Sequence, residues 1–128
     1  MEPENGSVLV VEDEALIAMD LQALLEEAGY RVVGPANSTH TAMALLDGQT
    51  PDVALLDVNL GGSDVFGVAN ALAERKTRLI FLTGHTVQKL PPVHRHRPLV
   101  AKPYLPHVLL QAVQKAMSEG DSSSENAA

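Results

Sequence analysis

Asp57 closes the run Val53-Ala54-Leu55-Leu56, four apolar residues followed by a carboxylate. An apolar run of this length suits a strand buried on both faces, and a charge at its end breaks the pattern. Taken alone, such an aspartate is as well read as the cap of the next turn as a chemical group. Its company changes that. Val8-Leu9-Val10-Val11 ends in Glu12-Asp13, Leu79-Ile80-Phe81-Leu82 ends in Thr83, and Leu99-Val100-Ala101 ends in Lys102. Three carboxylates brought together raise one another's proton affinity unless a cation joins them. Hard oxygen donors in a water-accessible site match Mg²⁺. With its charge offset in this way, Asp57 is a carboxylate nucleophile able to attack phosphorus. Lys102 then offers a point charge, and Thr83 a hydroxyl donor, to phosphoryl oxygens.

These residues meet only if the strands that carry them lie side by side. Strand and helix alternate along the chain. A strand over Ser7–Val11 precedes a helix with Ile17, Leu21, Leu24, Leu25 and Ala28 on one face, closed by Gly29. Arg31–Gly34 is a second strand, stopped by Gly34-Pro35. Asn37 or Ser38 caps a helix to about Asp47, with Ala42, Leu45 and Leu46 turned inward. After the strand ending at Asp57, Gly61-Gly62-Ser63 reads as a flexible loop, and a third helix from about Asp64 to Glu74 presents Val65, Val68, Ala69 and Leu72. Between Gly84 and Pro91-Pro92 there is room for a turn or two of helix at most, because proline cannot continue a helix interior. Pro106 suits the first turn of a last helix bearing Leu105, Val108, Leu109, Ala112, Val113 and Ala116.

Five such alternations predict an α/β fold: a doubly wound, five-stranded parallel sheet with right-handed crossovers, flavodoxin-like in strand order 2-1-3-4-5, with a shortened or irregular fourth helix. In that order the first and third strands flank the switch point, so Glu12, Asp13 and Asp57 converge there, with Thr83 and Lys102 on the same edge. Residues 1–118 form one domain and 119–128 a polar tail expected to be disordered.

Composition narrows the partners. A net charge of −7 argues against nucleic acid and against an anionic membrane surface. There are no cysteines, hence no disulfide, thiol nucleophile or cysteine metal site. The polar, acidic start is unlike a signal peptide, and no apolar run approaches the roughly 20 residues of a membrane helix. A cytoplasmic protein is expected, as a monomer or weak dimer.

The pattern over Ser7 to about Met117 resembles the receiver domain of two-component response regulators. An acidic pair after the first strand matches Glu12-Asp13, a phosphoaccepting aspartate on the third matches Asp57, a threonine on the fourth matches Thr83, and a Lys-Pro pair after the fifth matches Lys102-Pro103. The resemblance implies phosphotransfer to Asp57 from a histidine kinase or phosphotransfer protein. It also implies Mg²⁺ held by Glu12, Asp13, Asp57 and the Asn59 backbone carbonyl. The protein would then be a phosphoacceptor with slow Mg²⁺-dependent autophosphorylation and autodephosphorylation rather than an enzyme, acting through protein partners or as a phosphate sink. One departure stands out. Receivers usually carry an aromatic ring three residues before the lysine, and here that residue is Leu99. The segment Phe81-Leu82-Thr83-Gly84-His85 is similar to a receiver subclass named for a Phe-Ala-Thr-Gly-Tyr-type sequence. That likeness implies a kinase of the HWE or a related type.

Other readings of the same residues fare less well. An Asp-nucleophile phosphatase would want an acid two residues after Asp57, where Asn59 stands. A flavin or nucleotide module would want a glycine-rich loop after the first strand, where Glu12-Asp13-Glu14 would repel phosphate. His94-Arg95-His96-Arg97 reads as a solvated basic loop before it reads as a metal or phosphate patch. His85 borders the site or is simply an exposed loop residue, while His40 and His107 belong on helix surfaces.

Overall fold

The computed structural model describes residues 5–60, 65–84 and 90–126. Five parallel strands, β1 (Ser7–Val11), β2 (Arg31–Ala36), β3 (Val53–Asp57), β4 (Arg78–Thr83) and β5 (Leu99–Ala101), form one sheet in the order β2-β1-β3-β4-β5. Helices α1 (Ala15–Glu27), α2 (Thr39–Leu45), α3 (Val65–Glu74) and α4 (Pro106–Asn126) connect and follow them. This is the flavodoxin-like order expected from the alternation, with the switch point between β1 and β3.

The period-2 alternation of side chains along each strand divides the core in two. Leu9, Val11, Ala54, Leu56, Leu79 and Phe81 face α2 and α3, packing on Ala42, Leu46, Val68 and Leu72. Val8, Val10, Val53, Leu55, Ile80 and Leu82 face the other way, onto Leu21 and Leu25 of α1 and Leu109 and Val113 of α4. Strands covered on both faces have to be apolar throughout, which is why their sequences read as unbroken runs. Ser38 is the cap that α2 uses, its Oγ accepting from Thr41 N at 3.1 Å.

Two boundaries differ from expectation. β2 does not stop at Gly34 but continues through Pro35 to Ala36. The pairing with β1 slips between Leu9 and Val11, and Gly34 takes φ +95 at the slip, a value open to glycine. Because β2 is an edge strand, the missing N–H of Pro35 breaks no second ladder. The last helix, read as ending near Ser118, remains helical to Asn126. In the connection from β4 to β5, residues 85–89 lie outside the described residues. Its described residues carry one 3₁₀ turn, Pro92–His94. Gly61-Gly62-Ser63, Asp64 and His85, on which sequence readings fell, lie outside the described residues. No helix among the described residues is long and apolar enough to cross a membrane.

Candidate functional site

The C-terminal edge of the sheet gathers the residues singled out in the sequence. Register places Val11 of β1 beside Leu56 of β3, and Asp57 beside Leu82 of β4, so Glu12, Asp57 and Thr83 follow one another across three adjacent strands. Thr83 pairs in turn with Ala101, and Lys102 comes next. The Lys102 backbone N–H donates to Thr83 O at 2.7 Å, which ties these two residues together.

Glu12, Asp57 and Thr83 are buried, whereas Asp13 is exposed. One carboxylate oxygen from each of Glu12, Asp13 and Asp57 lies within 4.8 Å of the others, forming an acidic cluster open to water on the Asp13 side. Lys102 spans it. Its Nζ sits 3.1 Å from Glu12 Oε1 and 3.3 Å from Asp57 Oδ2. The other oxygens of the two buried acids are held by the backbone: Glu14 N donates to Glu12 Oε2 at 3.1 Å, and Asn59 N to Asp57 Oδ1 at 2.9 Å. Both carboxylates are thus fixed in orientation by the loops that leave their strands.

Three acids against one ammonium leave the cluster short of positive charge. The imbalance is felt at Glu12, whose carboxyl is pushed up from 4.5 to about 7. Burial does most of this, and Asp57 adds to it through repulsion and a shared hydrogen bond. The Glu14 amide and Lys102 pull the other way. Burial also works against the Lys102 ammonium, but its bonds to Glu12 and Asp57 win and raise it. A buried acidic cluster in which one carboxyl holds a proton near neutrality has the donor set of a divalent cation site. Glu12, Asp13 and Asp57 therefore fit an Mg²⁺ ion by number, hardness and charge.

Sequence reading gave Tyr104 no role and placed His94 in a solvated basic loop. Tyr104, two residues past Lys102, is half-buried, and its hydroxyl is pushed up by burial, then by Asp20 and Glu12. It lines a groove of about 460 Å³ with Ile17, Asp20, Leu24 and Lys102, between α1 and the chain entering α4. Its spacing from Lys102 was the available signal. His94, placed by sequence in a solvated loop, is buried to 1% exposure, and only Arg95 and His96 of that stretch are exposed. Its ring lies against Phe81, the residue that pairs with Leu99. Asn59 is exposed and meets Asp57 through its backbone, as a residue with no acid to offer there must.

The family model for the response regulator receiver domain matches residues 8–114. The chain belongs to the response regulator receiver domain family. It is 34% identical over 117 residues to the transcriptional regulatory protein PdtaR of Mycobacterium tuberculosis, covering 87% of this chain and 56% of that protein. It is 33% identical over 115 residues to the phyllosphere-induced regulator PhyR of Methylorubrum extorquens, covering 86% of this chain and 43% of that one. Among solved structures, the response regulator PhyR from Brucella abortus superposes with a TM-score of 0.81 at 28% identity, over 98% of this chain and 53% of the other. The chain thus spans about half the length of the relatives it matches.

Proposed function

We propose that Asp57 accepts a phosphoryl group from the phosphohistidine of a kinase or phosphotransfer protein. The observation that carries this reading is the placement of Asp57, buried at the end of β3, between Lys102 at 3.3 Å and the two acids that follow β1. An Asp57 carboxylate oxygen attacks phosphorus, a P–O bond forms, and the P–N bond to the donor imidazole breaks with its electron pair left on the ring. Oδ1 is engaged by Asn59 N and Oδ2 by Lys102, so the attacking carboxylate is oriented before the donor arrives. Negative charge moves onto the Asp57 side. Lys102 is placed to shift its donors from Glu12 to the new phosphoryl oxygens, and Thr83 to donate its hydroxyl to another. Glu12, Asp13, Asp57 and the Asn59 carbonyl would hold Mg²⁺, which when bound offsets their charge and that of the phosphoryl oxygens.

The donor has to reach Asp57 along the sheet edge where α1 begins, and Leu16 and Met19 stand exposed there at 79% and 64%. A helical donor that covered these side chains would gain apolar burial as it presented its histidine. The sequence likeness to the Phe-Ala-Thr-Gly-Tyr-type subclass supports a kinase of HWE type as that donor. We take residues 1–118 as the receiving unit, with 119–128 a tail outside it. It would work in the cytoplasm as a monomer or weak dimer, passing its state to a protein partner or acting as a phosphate sink. Turnover of its own would be limited to slow Mg²⁺-dependent autophosphorylation and autodephosphorylation. With leucine at position 99, the output of phosphorylation is a change in order over residues 84–98 rather than the rotation of one ring.

The test is phosphotransfer from a radiolabelled histidine kinase, with Mg²⁺ or with chelator, to the wild type and to Asp57→Asn. Label should appear in the wild type with Mg²⁺ alone. Equal labelling of Asp57→Asn would refute the assignment.

A further inference from the structure

Among the described residues 90–98 that lead into β5, His94 is the one buried side chain. Its imidazole stacks on Phe66 of α3 (centroids 6.2 Å apart, planes at 18°) and tilts against Phe81 of β4 (5.6 Å, 59°). Nε2 lies 2.8 Å from Asn70 Oδ1 on α3. An amide oxygen only accepts, so Nε2 carries a proton, and in the neutral ring the lone pair is on Nδ1. Nδ1 is buried and has no hydrogen-bond partner. In the neutral ring this is a weak acceptor left idle. In the imidazolium it would be an N–H aimed into aromatic surroundings with nothing to receive it.

We propose that His94 is a pH-sensitive latch: the neutral ring pins residues 90–98 onto α3 through Asn70, and protonation releases them.

The surroundings favour the neutral form on every side. The faces that α3 and β4 turn to the ring contribute Phe66, Asn70 and Phe81, none of them charged. Among the described residues, the charged and titratable groups acting on it come from its own segment, Arg97 and His96, and both repel a proton. Burial, then these two neighbours, hold its proton affinity below the ordinary range for histidine. Among residues 90–98, the turn is closed by His94 N to Pro91 O (2.8 Å), Arg95 N to Pro92 O (3.3 Å) and Arg97 N to His94 O (3.1 Å), and Pro98 O accepts from Phe81 N of β4 (3.0 Å). Val93 is 61% exposed, and Leu90 packs only in part on the core. The latch also bears on the site described above, because Phe81 stands two residues before Thr83 on β4. Acidification would loosen residues 90–98, which lead through β5 to Lys102.

The sign follows from linkage. The open segment exposes a histidine of ordinary affinity, near 6.5, while the latched one rejects the proton. Between pH 8.0 and 5.5 the opening equilibrium should therefore rise about tenfold. The experiment is amide hydrogen exchange on the unphosphorylated protein at both pH values, as protection factors corrected for intrinsic rates, so its outcome is independent of phosphoryl acceptance at Asp57. Protection at the His94 and Arg97 amides should fall about tenfold in the wild type. His94→Phe keeps an aromatic ring without a titrating group, and its protection should be flat across this range. Asn70→Asp supplies a carboxylate that accommodates the imidazolium, and should cut the fall to less than about threefold. Ring NMR of wild-type His94 should give a midpoint below 6.5, which can be read even if a variant fails to fold. A wild-type fall under twofold, an equal fall in His94→Phe, or a ring midpoint at or above 6.5 would overturn the latch.

Discussion

Glu12 is the residue at which the acidic cluster is most directly weighed. It is buried, it faces Asp57, and its carboxyl is raised from 4.5 to about 7. Above pH 7, holding it ionised costs the folded state about 3 kcal/mol relative to the unfolded chain. The sign is fixed by the direction of the shift. Between pH 4.5 and 7 the folded protein binds the Glu12 proton more tightly than the unfolded one, so stability falls as pH rises through that window and is level above it. Glu12→Gln removes the charge and keeps the shape. Allowing about 1 kcal/mol for an amide nitrogen that must face a donor, either the Glu14 N–H or the Lys102 ammonium, the variant should be more stable by roughly 2 kcal/mol at pH 8 without divalent cations. For a domain of this length that is an increase in Tm of roughly 5–10 °C. At pH 5 most of the difference should vanish, since the other titrating groups are common to both proteins and cancel. Millimolar Mg²⁺ at pH 8 should stabilise the wild type and do so less in the variant, because binding to the folded state is lost with the ligand. Thermal unfolding by circular dichroism at the two pH values, with Mg²⁺ or with chelator, reads all of this. A Glu12→Gln protein less stable than wild type at pH 8 without Mg²⁺, or a gain that persists unchanged at pH 5, would refute the reasoning.

Three further outcomes follow from the same geometry. Lys102→Ala leaves Glu12 and Asp57 without their shared ammonium, so phosphotransfer to Asp57 should drop at least tenfold while Mg²⁺ binding, followed by titration, is kept or strengthened. Phe81→Ala empties the centre of the α2/α3 side of the core and removes the ring against which His94 rests, and denaturant unfolding should show a loss of about 3–5 kcal/mol. Ser38→Ala deletes the α2 cap and should cost about 1 kcal/mol by the same measurement, with phosphotransfer unchanged.

Much of this molecule is legible in its sequence because the sheet is covered on both faces. That condition makes β1, β3 and β4 read as unbroken apolar runs, so Glu12, Asp57 and Thr83 stand out as the first polar residues after them. The switch-point rule then brings them together without knowledge of any contact. What could not be read depends on tertiary partners. Pro35 looks like the end of β2, yet an edge strand with a slipped register accepts it. His94 sits among Arg95, His96 and Arg97, whose charges describe a solvated loop, and it is buried only because α3 delivers Phe66 and Asn70 to the same place. The division of Lys102 between Glu12 and Asp57, and the resulting shift at Glu12, follow from distances that spacing along the chain does not encode.

The central claim is that Asp57 is the residue that takes the phosphoryl group, and mass spectrometry addresses it most directly. The protein is treated with acetyl phosphate and Mg²⁺, measured intact, then reduced with borohydride to trap the acyl phosphate and mapped by peptide. The account predicts the mass of a single phosphoryl group, labile to base, located on the peptide that spans Val53 to Leu60 at Asp57, and absent with chelator. A phosphoryl group on any other residue, or undiminished labelling of Asp57→Asn, would contradict it.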